Sequence, residues 1–395
     1  MNIMARNLRQ DDQACPADLF ILGSSALLLL IGWVMVTSAS SEIAARNFGN
    51  PFWYTGRHGL YIFIGLLTGA LALMLPIRVW QRSGWALLLL SFFLLVTVLV
   101  PGLGREVNGA VRWIPLGLFN LQGSEFVKLF SVVFFAAYVV NPDNRVNDSF
   151  VCFAKPLALI SLLLVLLLVQ PDFGATVVII TAVIGVLFFS GAPMRFFAPT
   201  VLSGSAIVAL LVVMKPYRLA RILTFTDPWK HPFDGGYQLT QALIAFGRGE
   251  WFGLGLGNSV QKLFFLPEAH TDFLFSIIAE ELGIVGGFVI LAGFSVLVIK
   301  TLLLGKRAYQ IELPFHGGLA TGIGVLFGTQ ALINLGVNLG LLPTKGLTLP
   351  LMSYGGNSLI VSCLLVALLL RIDMEVKHQM KIYPAARRNL RDARR

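Results

Sequence analysis

Charge is scarce in this chain. Of its 395 residues only 13% are Asp, Glu, Lys or Arg, about half the share found in an ordinary soluble domain. With 56% hydrophobic residues beside so few charges, a disordered chain, a collagen and a common soluble enzyme are all excluded. None of them could hold so much apolar surface in water. Cysteine is nearly absent too. Cys15, Cys152 and Cys363 are too few and too scattered for a disulfide framework or a cysteine metal site. Acidic residues are outnumbered, 20 against 30 Lys and Arg, for a formal net charge of +10. No nucleic acid is implied as a partner. The basic residues flank apolar runs or lie in the C-terminal tail, where membrane topology explains them. No small-residue cleavage site follows the first apolar run. That run is as long as a membrane span and is expected to stay as a helix.

What fills the chain is apolar sequence. A helix needs about 20 apolar residues to cross the hydrocarbon core. Ten such runs occur, near 18–38, 59–76, 84–101, 124–141, 156–171, 174–191, 197–214, 273–299, 315–340 and 355–371. The expected fold is an all-α integral membrane protein of about ten transmembrane helices. If the N-terminus is cytoplasmic, 18 of the 30 Lys and Arg fall on the inner side and five in short outer loops, the bias that sets orientation. An even number of spans returns the C-terminus to the cytoplasm. The organisation is then a cytoplasmic segment 1–16, a membrane domain 17–371 and a basic tail 372–395 suited to anionic lipid. Within the domain, 215–272 forms one extracytoplasmic loop of 58 residues. That is far longer than an ordinary connection, and such loops are usually functional.

Ionisable residues inside spans are costly, so each is a candidate. Glu125 and Lys128 open the fourth span at i,i+3 spacing and can pair, as a structural bond or as a cavity wall. Glu280 and Glu281 lie past Asp272 in the eighth span. Adjacent on a helix, they point about 100° apart and so make no catalytic dyad; structural hydrogen bonding is expected of at least one. Asn334 and Asn338 share a helix face and suit interhelical hydrogen bonds. Asp172, after Pro171, reads as a turn or a cap.

The long loop carries Tyr217, Arg218 and Arg221, then Asp227-Pro228-Trp229, then Gly236-Tyr237-Gln238 opening a helix over about 237–247. Gly253, Gly255 and Gly257 imitate a dinucleotide loop, but no strand precedes them. Glycines here let the backbone fold back near the membrane surface. The loop closes with Glu268-Ala269-His270-Thr271-Asp272-Phe273. Asp272 thus stands at the first turn of the eighth span. There it is either an N-cap on the helix dipole or a general base, and residue chemistry alone leaves the two even. The last outer loop, Pro343 through Ser358, offers Lys345, Ser353 and free amides among glycines, which suit an anionic head group. Arg112, Arg218, Arg221 and Lys262 are candidates to converge on it.

These blocks together resemble the SEDS family (shape, elongation, division and sporulation). They are Gly109 through Ile114, Ser124-Glu125 to Lys128, Gln170 through Gly174, Asp227 through Trp229, Gly236 through Gln238, Leu266 through Phe273 and Pro343 through Ser358. The likeness runs over about residues 20–372, and Pro343 through Pro350 look like the division branch. It implies a peptidoglycan glycosyltransferase of the bacterial inner membrane that polymerises lipid II at the division septum and releases undecaprenyl pyrophosphate. A lipid II flippase and a non-catalytic division scaffold are the alternatives. The family's catalytic Asp falls on Asp272 and its intramembrane pair on Glu125 and Lys128. Substrate contacts are expected from Lys345, Arg112, Arg218, Arg221, Lys262, Glu268, His270, Gln238 and Ser353. The expected partners are a cognate class B penicillin-binding protein (an FtsI-type transpeptidase) and other division membrane proteins. A divalent cation, Mg or Mn, is expected from the family alone; no ligand cluster demands a metal, and no organic cofactor is implied.

Overall fold

The structure, a computed structural model, describes residues 17–107, 110–115, 117, 120–144, 149–213, 225–230, 232–233, 235–344 and 346–382. A helix covers each of the ten apolar runs. They are α1 (Leu19–Phe48), α2 (Trp53–Met74), α4 (Gly84–Leu99), α5 (Gly123–Val140), α6 (Phe150–Val169), α7 (Phe173–Phe189), α8 (Met194–Val213), α10 (Leu274–Gln310), α11 (Pro314–Asn338) and α12 (Gly356–Ile382). Short α3 (Ile77–Arg82) links α2 to α4, and α9 (Tyr237–Gly249) lies in the long loop. Six of these helices are long and apolar enough to cross a membrane, and α4 and α7 are shorter apolar helices.

Two helices run past their apolar stretch. Asp18 caps α1 by accepting from the Phe20 amide at 2.8 Å, and Gly49, at φ 68°, ends it. Between residue 38 and that stop lie Ser, Ala, Glu and Arg, which favour or tolerate helix. At the other terminus, residues 372–382 continue α12 instead of starting the tail. The i,i+4 pairs Arg371–Glu375 (2.8 Å) and Lys377–Asp373 (2.6 Å) support that extension.

α5 and α11 form the centre. In their most apolar stretches 78% and 72% of residues are buried, against 22–39% in α1, α2, α6 and α10. The outer helices turn large apolar side chains outward: Leu60, Phe63, Leu67 and Leu71 on α2, and Leu89 and Phe93 on α4. Such a surface fits lipid and not water.

Two features are absent from the all-α expectation. A small antiparallel sheet, β1 (Arg105–Val107), β2 (Ala110–Pro115) and β3 (Asn120–Gln122), precedes α5, with Trp113 opposite Arg105 and Gln122. Its strands are too short to show an alternating pattern in the sequence. Second, α10 is broken at Gly283, whose φ of 66° no helix contains. The break strands the carbonyls of Glu280 and Glu281. They accept instead from Leu254 N and Gly255 N, both at 3.0 Å, while Ile284 N and Val285 N donate to the Glu250 and Trp251 carbonyls at 2.9 and 3.2 Å. The chain after α9 therefore completes the hydrogen bonding of a broken membrane helix, as a low-dielectric setting requires. Gly253, at φ 78°, lies so close to the Glu281 carbonyl that a Cβ has no room. The glycine run folds back onto the α10 backbone.

Candidate functional site

Gln330, Asn334 and Asn338 recur every four residues on α11 and form one buried polar stripe. Each holds a different part of the site. Asn334 Nδ2 donates to the Asp272 carbonyl at 2.9 Å and to the Leu347 carbonyl at 2.6 Å. Asn338 Nδ2 donates to the same Asp272 carbonyl at 3.0 Å. Its Oδ1 accepts from Ser276 N at 3.1 Å and Ser276 Oγ at 2.7 Å. Gln330 Nε2 donates to the Thr348 carbonyl at 3.0 Å, and its Oε1 accepts from Lys128 Nζ at 3.0 Å. Lys128 in turn pairs with Glu125 at 2.8 Å, both buried. One continuous set of bonds thus runs from the Glu125–Lys128 ion pair through α11 to the loop before α12 and the Asp272 peptide. The i,i+4 spacing of Asn334 and Asn338 extends one step back to Gln330, a signal the sequence contained.

Asp272 is clamped by its backbone and free at its side chain. The N-cap of α10 is Phe273, with no side-chain cap bond. Asp272 is therefore not the cap its position allowed. Its carboxylate accepts no hydrogen bond from the described residues. Protein surrounds it closely, and the resulting desolvation, with the Glu268 charge adding and Arg112 opposing, raises its pKa from the ordinary 3.8 to about 7. Opposite the carboxylate is Gly346. A Cβ there would sit 2.9 Å from Asp272 Oδ2, so glycine keeps the oxygen uncovered.

The other sequence candidates divide into groups. Arg112 on β2 donates from Nε to the Gln170 carbonyl (3.1 Å) and from Nη2 to the Pro171 carbonyl (2.6 Å). It is close enough to act on Asp272, and three of its N–H groups remain. Exposed Glu268, at φ 58°, accepts from Thr271 Oγ1 at 2.7 Å. His270 is buried, with rings of Tyr54 and Tyr354 centred 4.7 and 5.5 Å away. Burial holds its pKa below the usual imidazole range against the pull of Glu268. Buried Ser353 accepts from Leu349 N at 2.9 Å and braces its own loop. Half-buried Gln238 lies in the first turn of α9. Asp172 caps α7 by accepting from Ala175 N at 3.2 Å. Lys345, Arg218 and Arg221 lie outside the described residues.

Lys262 belongs to a second cluster. Its Nζ bonds Glu281 at 2.8 Å, Ser38 Oγ at 2.9 Å and the Gly257 carbonyl at 2.7 Å. Glu281 also accepts from Ser38 Oγ and Ser259 N. Glu280 accepts from Ser259 Oγ, Val260 N and Gln261 N, with Arg248 at 3.4 Å. Both buried glutamates thus bind the fold-back segment to the kink of α10. Beside this cluster a cavity of about 770 Å³ opens between α1 and residues 256–263, with Trp33, Val34, Leu256 and Leu263 among its walls.

No group of three His, Cys, Asp or Glu side chains among the described residues is arranged to hold a metal ion. Asp272 and Glu268 are the carboxylates at this site, and two such ligands suffice only where a substrate supplies further oxygens.

The FtsW/RodA/SpoVE family, described as a cell cycle protein family, matches residues 18–378. The probable peptidoglycan glycosyltransferase FtsW of Allochromatium vinosum is 50% identical over 365 residues, 92% of each chain. A chain in a solved structure, described as the structural coordination of polymerization and crosslinking by a peptidoglycan synthase complex, superposes with a TM-score of 0.74. It is 30% identical, and the match covers 91% of this chain and 98% of that one. The rod shape determining protein RodA of Thermus thermophilus superposes with a TM-score of 0.66 at 28% identity, covering 90% and 96%.

Proposed function

As the chain belongs to the FtsW/RodA/SpoVE family, on its FtsW branch, we propose that it polymerises lipid II with Asp272 as general base. Peptidoglycan glycosyltransferase is the activity named for relatives identical at half their positions over nine-tenths of the chain, and it is the activity of this one. The observation that carries the base assignment is the Asp272 carboxylate: fixed by two asparagines on its peptide, accepting no hydrogen bond from the described residues and raised to about 7. A base poised near the operating pH is half ionised and can both take and hold a proton.

In the proposed reaction Asp272 removes the proton of the acceptor sugar's 4-hydroxyl. That oxygen attacks the anomeric carbon of the donor, and the bond to the diphosphate breaks. Undecaprenyl pyrophosphate leaves, and the α-linked diphosphate becomes a β-1,4 glycosidic bond. A single displacement needs one base and a stabilised leaving group. The three N–H groups of Arg112 that bond to no described residue, with Lys345, Arg218 and Arg221 from the two outer loops, would stabilise the diphosphate. A magnesium or manganese ion carried by the diphosphate would add charge neutralisation there, with Glu268 as the exposed carboxylate able to hold it. The cavity between α1 and residues 256–263 offers an isoprenoid chain an apolar groove.

The membrane arrangement proposed is ten crossings with both termini cytoplasmic and Asp272 on the periplasmic side, at the septum. The partner proposed is a class B penicillin-binding protein, supported by the likeness to a chain from a synthase complex. The test is glycan polymer formed from labelled lipid II with that partner present and its transpeptidase serine blocked. Asp272→Asn should lower polymer by about 10²–10⁴-fold while the protein stays folded. Equal polymer from both forms would remove Asp272 as base. Lipid II translocated without polymer would support the flippase.

A further inference from the structure

The end of α5 remote from Glu125 carries a second polar site. Its α5 residues, Phe134 to Val140, lie about 14–23 Å along the helix from Glu125. There a cavity of about 500 Å³ is walled by α3, the start of α4 and the end of α5. Gly84 lets α4 approach α5 closely, since a Cβ there would stand 3.1 Å from Ala137 Cβ. Trp85, edge-on to Phe134 at 5.0 Å, fixes one side.

The lining has one sign of charge. Arg78 and Arg82, at i,i+4 on α3, share a face and both line the cavity. Neither makes a hydrogen bond or ion pair among the described residues. Among the described residues no carboxylate lines the space. Half-buried Glu375, which meets the start of α3, is committed to Arg371 (2.8 Å), His316 (2.8 Å) and Ile77 N (3.0 Å). Exposed Asp143 stands between the lining residues Pro142 and Asn144 but is not itself among the lining residues. The Gln81 and Asn141 side-chain amides add donors that bond to no described residue. Two guanidinium groups with neighbouring amides, and no carboxylate among the described lining residues, match a phosphate anion, which arginine binds bidentately. Met74, Leu75 and Val79, at and just before α3, and the lining residue Trp85 are exposed apolar side chains, the composition of a membrane interface with its aromatic anchor.

We propose that the cavity between α3, α4 and α5 is a binding site for a phosphate anion, held by Arg78 and Arg82, with the head group of an anionic phospholipid as its source. It is distinct from the Asp272 site and independent of the glycosyltransferase assignment.

The test uses the full chain, delipidated in detergent and examined by native mass spectrometry with dioleoylphosphatidylglycerol, dioleoylphosphatidylcholine or inorganic phosphate. Phosphatidylglycerol should be retained about tenfold more than phosphatidylcholine. Arg78→Gln with Arg82→Gln should abolish the preference, and Arg78→Lys with Arg82→Lys should keep part of it. Lys306→Gln with Arg307→Gln, on the same end of the molecule, should leave it intact. The melting temperature without lipid serves as the folding control for each variant. Arg78/Arg82-dependent binding of inorganic phosphate without lipid preference would keep the anion site and assign it a soluble source. Equal retention of the two lipids with no phosphate binding, or an unchanged preference in the Arg78→Gln, Arg82→Gln protein, would overturn the proposal.

Discussion

An aspartate taken out of water by the protein around it, and standing beside a second carboxylate, gives up its proton late. Asp272 moves from 3.8 to about 7 chiefly through that desolvation, with the Glu268 charge adding to it and Arg112 opposing. The sign of the consequence for stability follows. The folded state holds this proton through the interval between about 4 and about 7, where the unfolded chain has released it. Its share of stability is therefore full below the lower value and is lost as pH rises toward the upper one. Asp272→Asn removes that loss. In detergent the variant should melt higher than the native chain above about pH 7 and alike below about pH 4, as read by thermal unfolding across pH. Gly346 supplies a second test at this scale. Gly346→Ala brings a methyl group to 2.9 Å from Asp272 Oδ2, inside ordinary contact distance. Turnover should fall by about tenfold or more, since small displacements at a reacting group are costly. The melting temperature should stay close to native.

At the scale of elements, the kink of α10 and the segment after α9 hold each other. Lys262 and Glu281 are both buried, and each is the other's counter-ion. Breaking such a pair from one side leaves an uncompensated charge and costs about 3–5 kcal/mol. Glu281→Gln should therefore lower the melting temperature sharply, and Glu281→Gln with Lys262→Met should recover much of the loss. A double variant no more stable than the single one would show that the ion pair is not what holds the segment. How much of this was legible depended on range along the chain. The ten helices could be read because a membrane sets a length, about 20 residues, that apolar runs display directly. The helix over 237–249 could be read from its turn signals. The break at Gly283 could not, because glycine is common in membrane helices and its partners lie about thirty residues upstream. The β1–β3 sheet was too short for a periodic signal. Glu280 and Glu281 were legible as structural acids, but not the Ser38, Ser259 and Lys262 that satisfy them. Lys262 was read as a substrate contact, and its charge is instead engaged with Glu281.

For the whole molecule, the outward apolar faces, the buried α5 and α11 and the polar stripe along α11 form a single arrangement. Helices that lipid can solvate surround two that carry polar side chains, and those polar groups deliver Asp272 and the 346–349 segment to one end. Gln330, Asn334 and Asn338 reach substrate only through the backbones they hold. Asn338→Ala should therefore reduce turnover while Asn338→Gln restores part of it, since glutamine keeps an amide donor for the Asp272 carbonyl and an acceptor for Ser276. Preparation of Asp272 as the proposed base is checked by the initial rate of lipid II polymerisation, with the blocked transpeptidase partner, from about pH 5 to about pH 9. A rate that rises tenfold per unit at low pH and levels near pH 7, with the level point moving lower in Glu268→Gln, is expected. A rate flat across that range, or an inflection unmoved by Glu268→Gln, would contradict the assignment of Asp272 as the base.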